Sequence, residues 1–505
     1  MRISHPLARA ACCVAVIGVL LAGLVGAQPT AAGAGRSPAP VATPTAVVER
    51  PNIVFVLTDD LSWNLVKYLP QVRALQREGM TFTDYVVTDS LCCPSRASIL
   101  TGRYPHNTEV LTNNGPDGGF AAFHDNGQES DTFATGLRTR GYRTALMGKY
   151  LNGYQPAHEV GGTAPYVPPG WSIWNVSGGG YGGYWYNLAH NRTVERHGRR
   201  PADYITDVLA RKGAAFIQRS ARAKAPFLLE VASFAPHAPY TPAPRHANAF
   251  PGVTAPRDPA YDRLPTDAPP WLAGATPLTS SMRTAIDRAF RKRAQSVQAI
   301  DDLVGRLRAA LTAAGVADET YLVFSSDNGY HMGEHQLTPG KSTAFDTDIR
   351  VPLVVTGPGV PAGSTSDAAV ASIDLAPTFR DIGGARLPTT VDGRSMLPLL
   401  RGGSDTSWRT ANLVEHQGPL TRPGDPDRPR PGSGNPPTYA ALRTRTYTYV
   451  EYADGSREYY DRTRDPHQLH NLADTLPPAR VRQLHTALTR LRHCHGPTCW
   501  TNGHL

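Results

Sequence analysis

Asn52-Ile-Val-Phe-Val-Leu-Thr58, followed at once by Asp59-Asp60, is the stretch on which the fold turns. A short, continuously apolar run rich in branched and aromatic residues reads as a strand buried on both faces. Its carboxyl end then delivers two acids. Tyr321 to Ser326 (YLVFSS) repeats the arrangement and ends in Asp327-Asn328. Pro226 to Ser233 and Val351 to Thr356 are further apolar runs of strand length. Val297, Ile300, Val304, Leu307 and Leu311 recur at spacings of three and four, one face of a long helix. Strands alternating with helices predict an α/β fold, a large, mixed, mostly parallel sheet sandwiched by helices. Ligands of such sheets bind beyond the carboxyl ends of the strands, where both acidic pairs stand.

A chain of 505 residues exceeds one ordinary core, which predicts a large domain over 50–393 and a smaller antiparallel α+β domain over 394–505. After Gly393 the texture changes. Residues 421–437 (TRPGDPDRPRPGSGNPP) are a Pro- and Gly-rich loop, 446–461 (TYTYVEYADGSREYYD) read as a hairpin about Asp454-Gly455, and Pro477 to Leu491 carries a helical pattern. At the other end, Arg2 and Arg9 precede an apolar run from Ala10 to Val25 that closes on Gly26 and Ala27. This is the pattern of a cleaved signal peptide over 1–27, so the protein is expected to be secreted. The run is short for a spanning helix, and no stable membrane anchor is expected. Residues 28–49 read as a flexible leader.

Of six cysteines, Cys12 and Cys13 leave with the signal. Cys494 and Cys499 are spaced to close a small disulfide loop in an exported chain, with a metal site as the rival because His493 and His495 flank Cys494. Cys92 and Cys93 remain. The net charge of +9 favours an anionic partner, yet only six of the 51 basic residues are lysines, so arginine usage accounts for much of it. No nucleic-acid partner is expected. Two of those lysines, Lys149 and Lys341, directly follow glycine.

Acid pairs at the ends of two strands suit a hard cation, since calcium collects oxygens from carboxylates and amide carbonyls. Asp59, Asp60, Asp327 and Asn328 could supply four, although either pair alone is also an ordinary turn sequence. Between them, residues 91–103 read LCCPSRASILTGR. This resembles the sulfatase signature C-x-P-S-R followed by L-T-G, with Cys92 first, then Pro94, Ser95, Arg96, Leu100, Thr101 and Gly102. Two cysteines buried as small hydrophobes would explain neither Pro-Ser-Arg nor Leu-Thr-Gly.

The resemblance runs from about Arg50 to Ala473, and implies the fold of the alkaline-phosphatase superfamily. Within the family the chain most resembles N-acetylglucosamine-6-sulfatases and heparan 6-O-endosulfatases, through CCPSRASILTGRYPHN, GKYLNGY, PPGW, SDNGYHMGEH, GKS and DIRVPL. The resemblance implies conversion of Cys92 to formylglycine (3-oxoalanine) by a formylglycine-generating enzyme, and one calcium ion held by Asp59, Asp60, residue 92, Asp327 and Asn328. It also implies sulfate contacts from Arg96, Lys149, Lys341 and His237, the last in APHAPY. A hydrated aldehyde has two hydroxyls, one to attack sulfur and one whose deprotonation expels sulfate. Lys149 and Lys341 suit the charge on the peripheral oxygens, His237 the protonation of the leaving alcohol, and Arg96 the orientation of the diol.

Many sulfatases read G-K-x-H where this chain has Gly148-Lys149-Tyr150-Leu151-Asn152. Asn152 or His331 is expected to fill the place of the missing histidine. The implied substrate is a 6-sulfated glucosamine-type sugar, with aryl sulfates as surrogates. Two rivals stand beside it, a formylglycine-dependent phosphodiester or phosphonate monoester hydrolase and a non-catalytic binder of sulfated polysaccharide.

Overall fold

The computed structural model describes residues 50–403 and 407–505. The signal peptide over 1–27 and the leader over 28–49 therefore lie outside the described residues. β1 (Asn52–Thr58) is buried at every position. Its pleat sends Ile53, Phe55 and Leu57 into one apolar core and Val54 and Val56 into another, which is why the run shows no polar alternation.

Nine further strands join it: β2 (Met80–Phe82), β3 (Arg143–Lys149), β4 (Ile173–Ser177), β5 (Tyr186–His190), β6 (Thr193–His197), β7 (Phe227–Ala232), β8 (Thr320–Ser326), β9 (Leu353–Thr356) and β10 (Ser364–Ser366). Their spatial order is β10-β2-β9-β8-β1-β7-β3-β4-β5-β6. The central strands β8, β1, β7, β3 and β4 run parallel. β9 lies antiparallel between β8 and β2, and β5 and β6 finish the opposite edge antiparallel.

Helices cover both faces. On one, Phe216 and Ile217 of helix Ile205–Arg222 pack with Val297, Ile300, Val304 and Leu307 of helix Ser280–Ala313 over Val54 and Val56. The spacing in the sequence marks only the second half of that longer helix, whose face continues back through Phe290 and Ile286 to a start capped by Thr279. The other face carries helices Cys92–Thr101 and Leu375–Ile382, whose Ala97, Ile99, Leu375 and Phe379 join the core of Phe55.

A second, four-stranded antiparallel sheet has the order β11 (Ala411–His416), β12 (Tyr439–Thr444), β13 (Tyr447–Tyr452), β14 (Arg457–Asp461). β13 and β14 form the hairpin about Asp454-Gly455, where Gly455 takes the left-handed backbone the turn requires. Helix Pro478–Arg492 packs Leu484, Leu488 and Leu491 against Leu413, Leu442 and Tyr449. Cys494 and Cys499 are disulfide-bonded, which withdraws both sulfurs from metal ligation. No described helix is long and apolar enough to cross a membrane.

Candidate active site

Parallel neighbours open their carboxyl ends on one side of the sheet, and that side collects the functional groups. Asp59 and Asp60 follow β1, Asp327 and Asn328 follow β8, Lys149 is the last residue of β3, and His237 lies just beyond β7. Asp60 is left-handed, with φ of 67°, a conformation that costs a non-glycine residue on the order of 1 kcal/mol. Its turn is held from both sides. The Asp60 amide donates to Asp327 Oδ1 at 3.1 Å, and Nη2 of the buried Arg293 donates to the Asp60 carbonyl at 2.5 Å.

Cys92 is the first residue of a helix buried along its whole length. Pro94 is tolerated in that first turn because its missing N–H has no intrahelical partner there. The helix stops at Gly102, left-handed at φ of 76°, where a Cβ would stand 2.9 Å from Val391 Cγ1. Leu-Thr-Gly is thus the stop signal of the helix that presents residue 92.

Around that residue the charges alternate. The Cys92 thiol donates to Asp59 Oδ1 at 3.2 Å, and the ammonium groups of Lys149 and Lys341 lie 3.0 and 3.1 Å from Sγ. Lys149 bonds Asp59 at 2.8 Å, Lys341 bonds Asp60 at 2.7 Å, and Arg96 Nε bonds Asp327 at 2.8 Å. Burial works against the charged form of both lysines. The carboxylates outweigh it, Asp59 foremost for Lys149 and Asp427 then Asp60 for Lys341, and hold both well above their usual range. Burial, then Asp427 and Asp59, pushes the Cys92 thiol well up, so as a cysteine it is a neutral thiol. His237 is opposed by burial but raised to about 9 by Asp60, Asp427 and Asp59. Its Nδ1 donates to the Ala238 carbonyl at 2.8 Å, which leaves Nε2 as its working nitrogen.

Asp59, Asp60, Asp327 and residue 92 each place a ligand atom within 4.8 Å of the others. Asn328 Oδ1 is buried with no hydrogen-bond partner among the described residues. Hard oxygens plus an unsatisfied amide carbonyl fit a calcium-sized cation.

The structure thus brings Cys92, Arg96, Lys149, Lys341, His237 and the four oxygen donors to one place. Asn152 faces Cys93 instead of Cys92: its Oδ1 accepts from the Cys93 thiol at 3.5 Å, and its backbone N–H donates to Cys93 Sγ at 3.0 Å. His331 has both ring nitrogens engaged, Nδ1 by Asp348 at 3.0 Å and Nε2 by the Ser433 carbonyl at 3.1 Å. Its backbone pairs with Gly340 in both directions, so it braces the turn that carries Lys341. Sequence reading missed three residues. Asp427, from the Pro- and Gly-rich loop, lies 2.8 Å from both Lys341 Nζ and His237 Nε2. Asn113 Nδ2 ties that loop down through Asp427 Oδ2 at 2.7 Å and Asp425 Oδ1 at 3.2 Å. For the two acids the signal was acid content in a segment otherwise typical of surface loops, and Asn113 carried none.

The sulfatase family model matches residues 51–385, across the whole site. The chain belongs to the sulfatase family. It is a sulfuric ester hydrolase. The model for the C-terminal region of N-sulphoglucosamine sulphohydrolase matches residues 333–494 of this sulfatase. Among curated relatives, the N-acetylglucosamine-6-sulfatase of Capra hircus is 40% identical over 90% of this chain and 85% of its own length. That of Homo sapiens is 38% identical over 97% and 91%. The extracellular sulfatase SULF-1 homolog of Drosophila melanogaster is 37% identical over 73% of this chain but 33% of its own. A solved structure in complex with its substrate D-glucosamine-2-N,6-O-disulfate shares the fold of this sulfatase with a TM-score of 0.70 at 22% identity, covering 88% of this chain and 98% of that one. The phosphonate monoester hydrolase of Silicibacter pomeroyi does so with a TM-score of 0.68 at 25% identity, over 88% and 95%.

Proposed function

We propose that this protein is a secreted, calcium-dependent sulfatase that removes the 6-sulfate of a glucosamine-type sugar, using formylglycine made from Cys92. The observation that carries the reading is the placement of Cys92, within 3.2 Å of a carboxylate and of two ammonium groups, on the first turn of a buried helix. A neutral thiol there is a poor nucleophile, which favours its conversion by a formylglycine-generating enzyme. The sugar class rests on relatives named N-acetylglucosamine-6-sulfatase at about 40% identity.

Asp59, Asp60, Asp327 and Asn328 would hold the calcium. Bound there, calcium supplies Lewis acidity beside residue 92, and the hydrated formylglycine supplies the second hydroxyl that a serine lacks. The chain does the rest. Lys149 and Lys341 bring two fixed positive charges to the oxygens of the bound sulfate, in a buried setting where such charges act strongly. Arg96 is locked to Asp327, and its buried Nη2, without a partner among the described residues, would be available to the bound group. His237, protonated at neutral pH, carries on Nε2 the proton for the leaving oxygen. Secretion follows from the signal peptide read at 1–27.

The likeness to a phosphonate monoester hydrolase keeps one rival alive. The test is sulfate release from 6-sulfated N-acetylglucosamine against hydrolysis of a phosphonate monoester, with mass spectrometry of the peptide containing residue 92. Faster phosphonate hydrolysis, or turnover by protein whose Cys92 is still a thiol, would overturn the proposal.

A further inference from the structure

The loop over 421–437 does more than pass over the site. Asp427 inserts one carboxylate oxygen between Lys341 Nζ and His237 Nε2, at 2.8 Å from each, and its side chain is only 3% exposed. Its other oxygen accepts from Asn113. Burial resists the charge, yet Lys341 and His237 hold the carboxyl well below the usual range, so it stands there as an anion. The cavity beside it, lined by Asp60, His237, Lys341 and Arg428, measures about 40 Å³, room for a few waters at most and not for a sugar sulfate.

His237 makes the consequence sharp. With Nδ1 committed to the Ala238 carbonyl, Nε2 is its one face toward substrate, and Asp427 occupies it. A sulfate ester that uses Lys341 and His237 must take the place of this carboxylate.

We propose that Asp427 is an internal ligand of the anion clamp, which every incoming sulfate ester has to displace. The inference rests on the assignment of Lys341 and His237 as sulfate contacts. Apparent affinity is multiplied by the fraction of protein in which the clamp is open, so the exchange weakens every anion that uses Lys341 and His237 by the same factor. An ester whose sugar makes further contacts at the mouth, where Arg428 and Arg430 are exposed, binds more tightly but bears the same factor.

The test is calorimetric titration of mature, calcium-loaded protein with sodium sulfate. Asp427→Asn should bind sulfate at least about tenfold more tightly than wild type, and Asp427→Ala, which leaves no side-chain oxygen to bond Lys341, should bind at least as tightly as Asp427→Asn. Asp425→Asn removes the same charge from the same loop without a bond to either clamp residue, while its amide oxygen can still accept from the Asp427 backbone N–H and from Asn113, and should change affinity less than about threefold. Two results would overturn the inference, and they differ. Sulfate binding that Lys341→Ala abolishes but Asp427→Asn leaves unchanged or weakens removes Asp427 alone. Sulfate binding indifferent to Lys341→Ala removes the clamp assignment and the inference with it.

Discussion

Two lysines in a lysine-poor chain converge on one sulfur, 3.0 and 3.1 Å from Cys92 Sγ. Each is neutralised by a carboxylate from the end of β1, so the clamp is electrically balanced before any substrate arrives. Lys341→Ala would leave Asp60 without its ammonium partner and the sulfate with one of its two lysine charges removed. It is expected to lower kcat/KM on an aryl sulfate by on the order of a hundredfold, with a loss under threefold placing Lys341 outside the chemistry. Residue 92 admits a sharper experiment. Cys92→Ser retains one hydroxyl beside Lys149 and Lys341 but lacks a second. It should release about one equivalent of alcohol per enzyme and then stop, as rapid-quench measurement would show. Steady turnover by this variant would mean that a single hydroxyl suffices.

At the scale of elements, the nucleophile helix is a device for fixing one residue. All ten of its residues are buried, its start carries proline where the amide is dispensable, and its end is a glycine in a left-handed turn. Gly102→Ala adds a Cβ at φ of 76°, 2.9 Å from Val391 Cγ1 and 3.1 Å from Pro377 Cδ. Left-handed backbone and close contact together should cost on the order of 2 kcal/mol. A thermal melt is expected to show a fall in Tm of several degrees. An unchanged Tm would show that the helix end relaxes freely. The β1 end is braced in the same manner, since Arg293 from the helix Ser280–Ala313 holds the carbonyl of left-handed Asp60.

For the whole molecule, pH enters through carboxyls buried away from the site. Burial pushes Glu458 of β14 up to about 8, with only a bond from Tyr452 working the other way. Glu230 and Glu334 are likewise raised by burial, each to about 7. A carboxyl whose folded pKa exceeds its unfolded value of 4.5 binds its proton more tightly when folded. Its stabilising contribution is complete below 4.5 and is lost as pH rises toward 8. Tm should therefore decline from pH 5 to pH 8, and Glu458→Gln, neutral at every pH, should flatten part of that decline. A variant whose Tm falls as steeply as wild type would show that Glu458 does not contribute.

The sequence by itself determined the central strands, the long helix and the helix that presents residue 92, because each is written in local pattern. Continuous apolar runs mark strands buried on both faces, spacings of three and four mark a helix face, and Cys-x-Pro-Ser-Arg with Leu-Thr-Gly encodes a helix start, a presented side chain and a stop. Acids directly after β1 and β8 were visible as donors for the same reason. Tertiary structure decided what local pattern does not encode. The run ending at Thr356 turns antiparallel to β8 because strand direction is set by the connection, not by the strand's own residues. Asn152 turns to Cys93 and His331 to Asp348, since hydrogen-bond partners brought from elsewhere in the chain settle where a polar side chain points. Asp427 reaches Lys341 from a loop 86 positions along, with nothing around it in sequence to separate it from a surface acid. Buried charges must be paired, and which charge meets which is fixed only when the chain closes on itself.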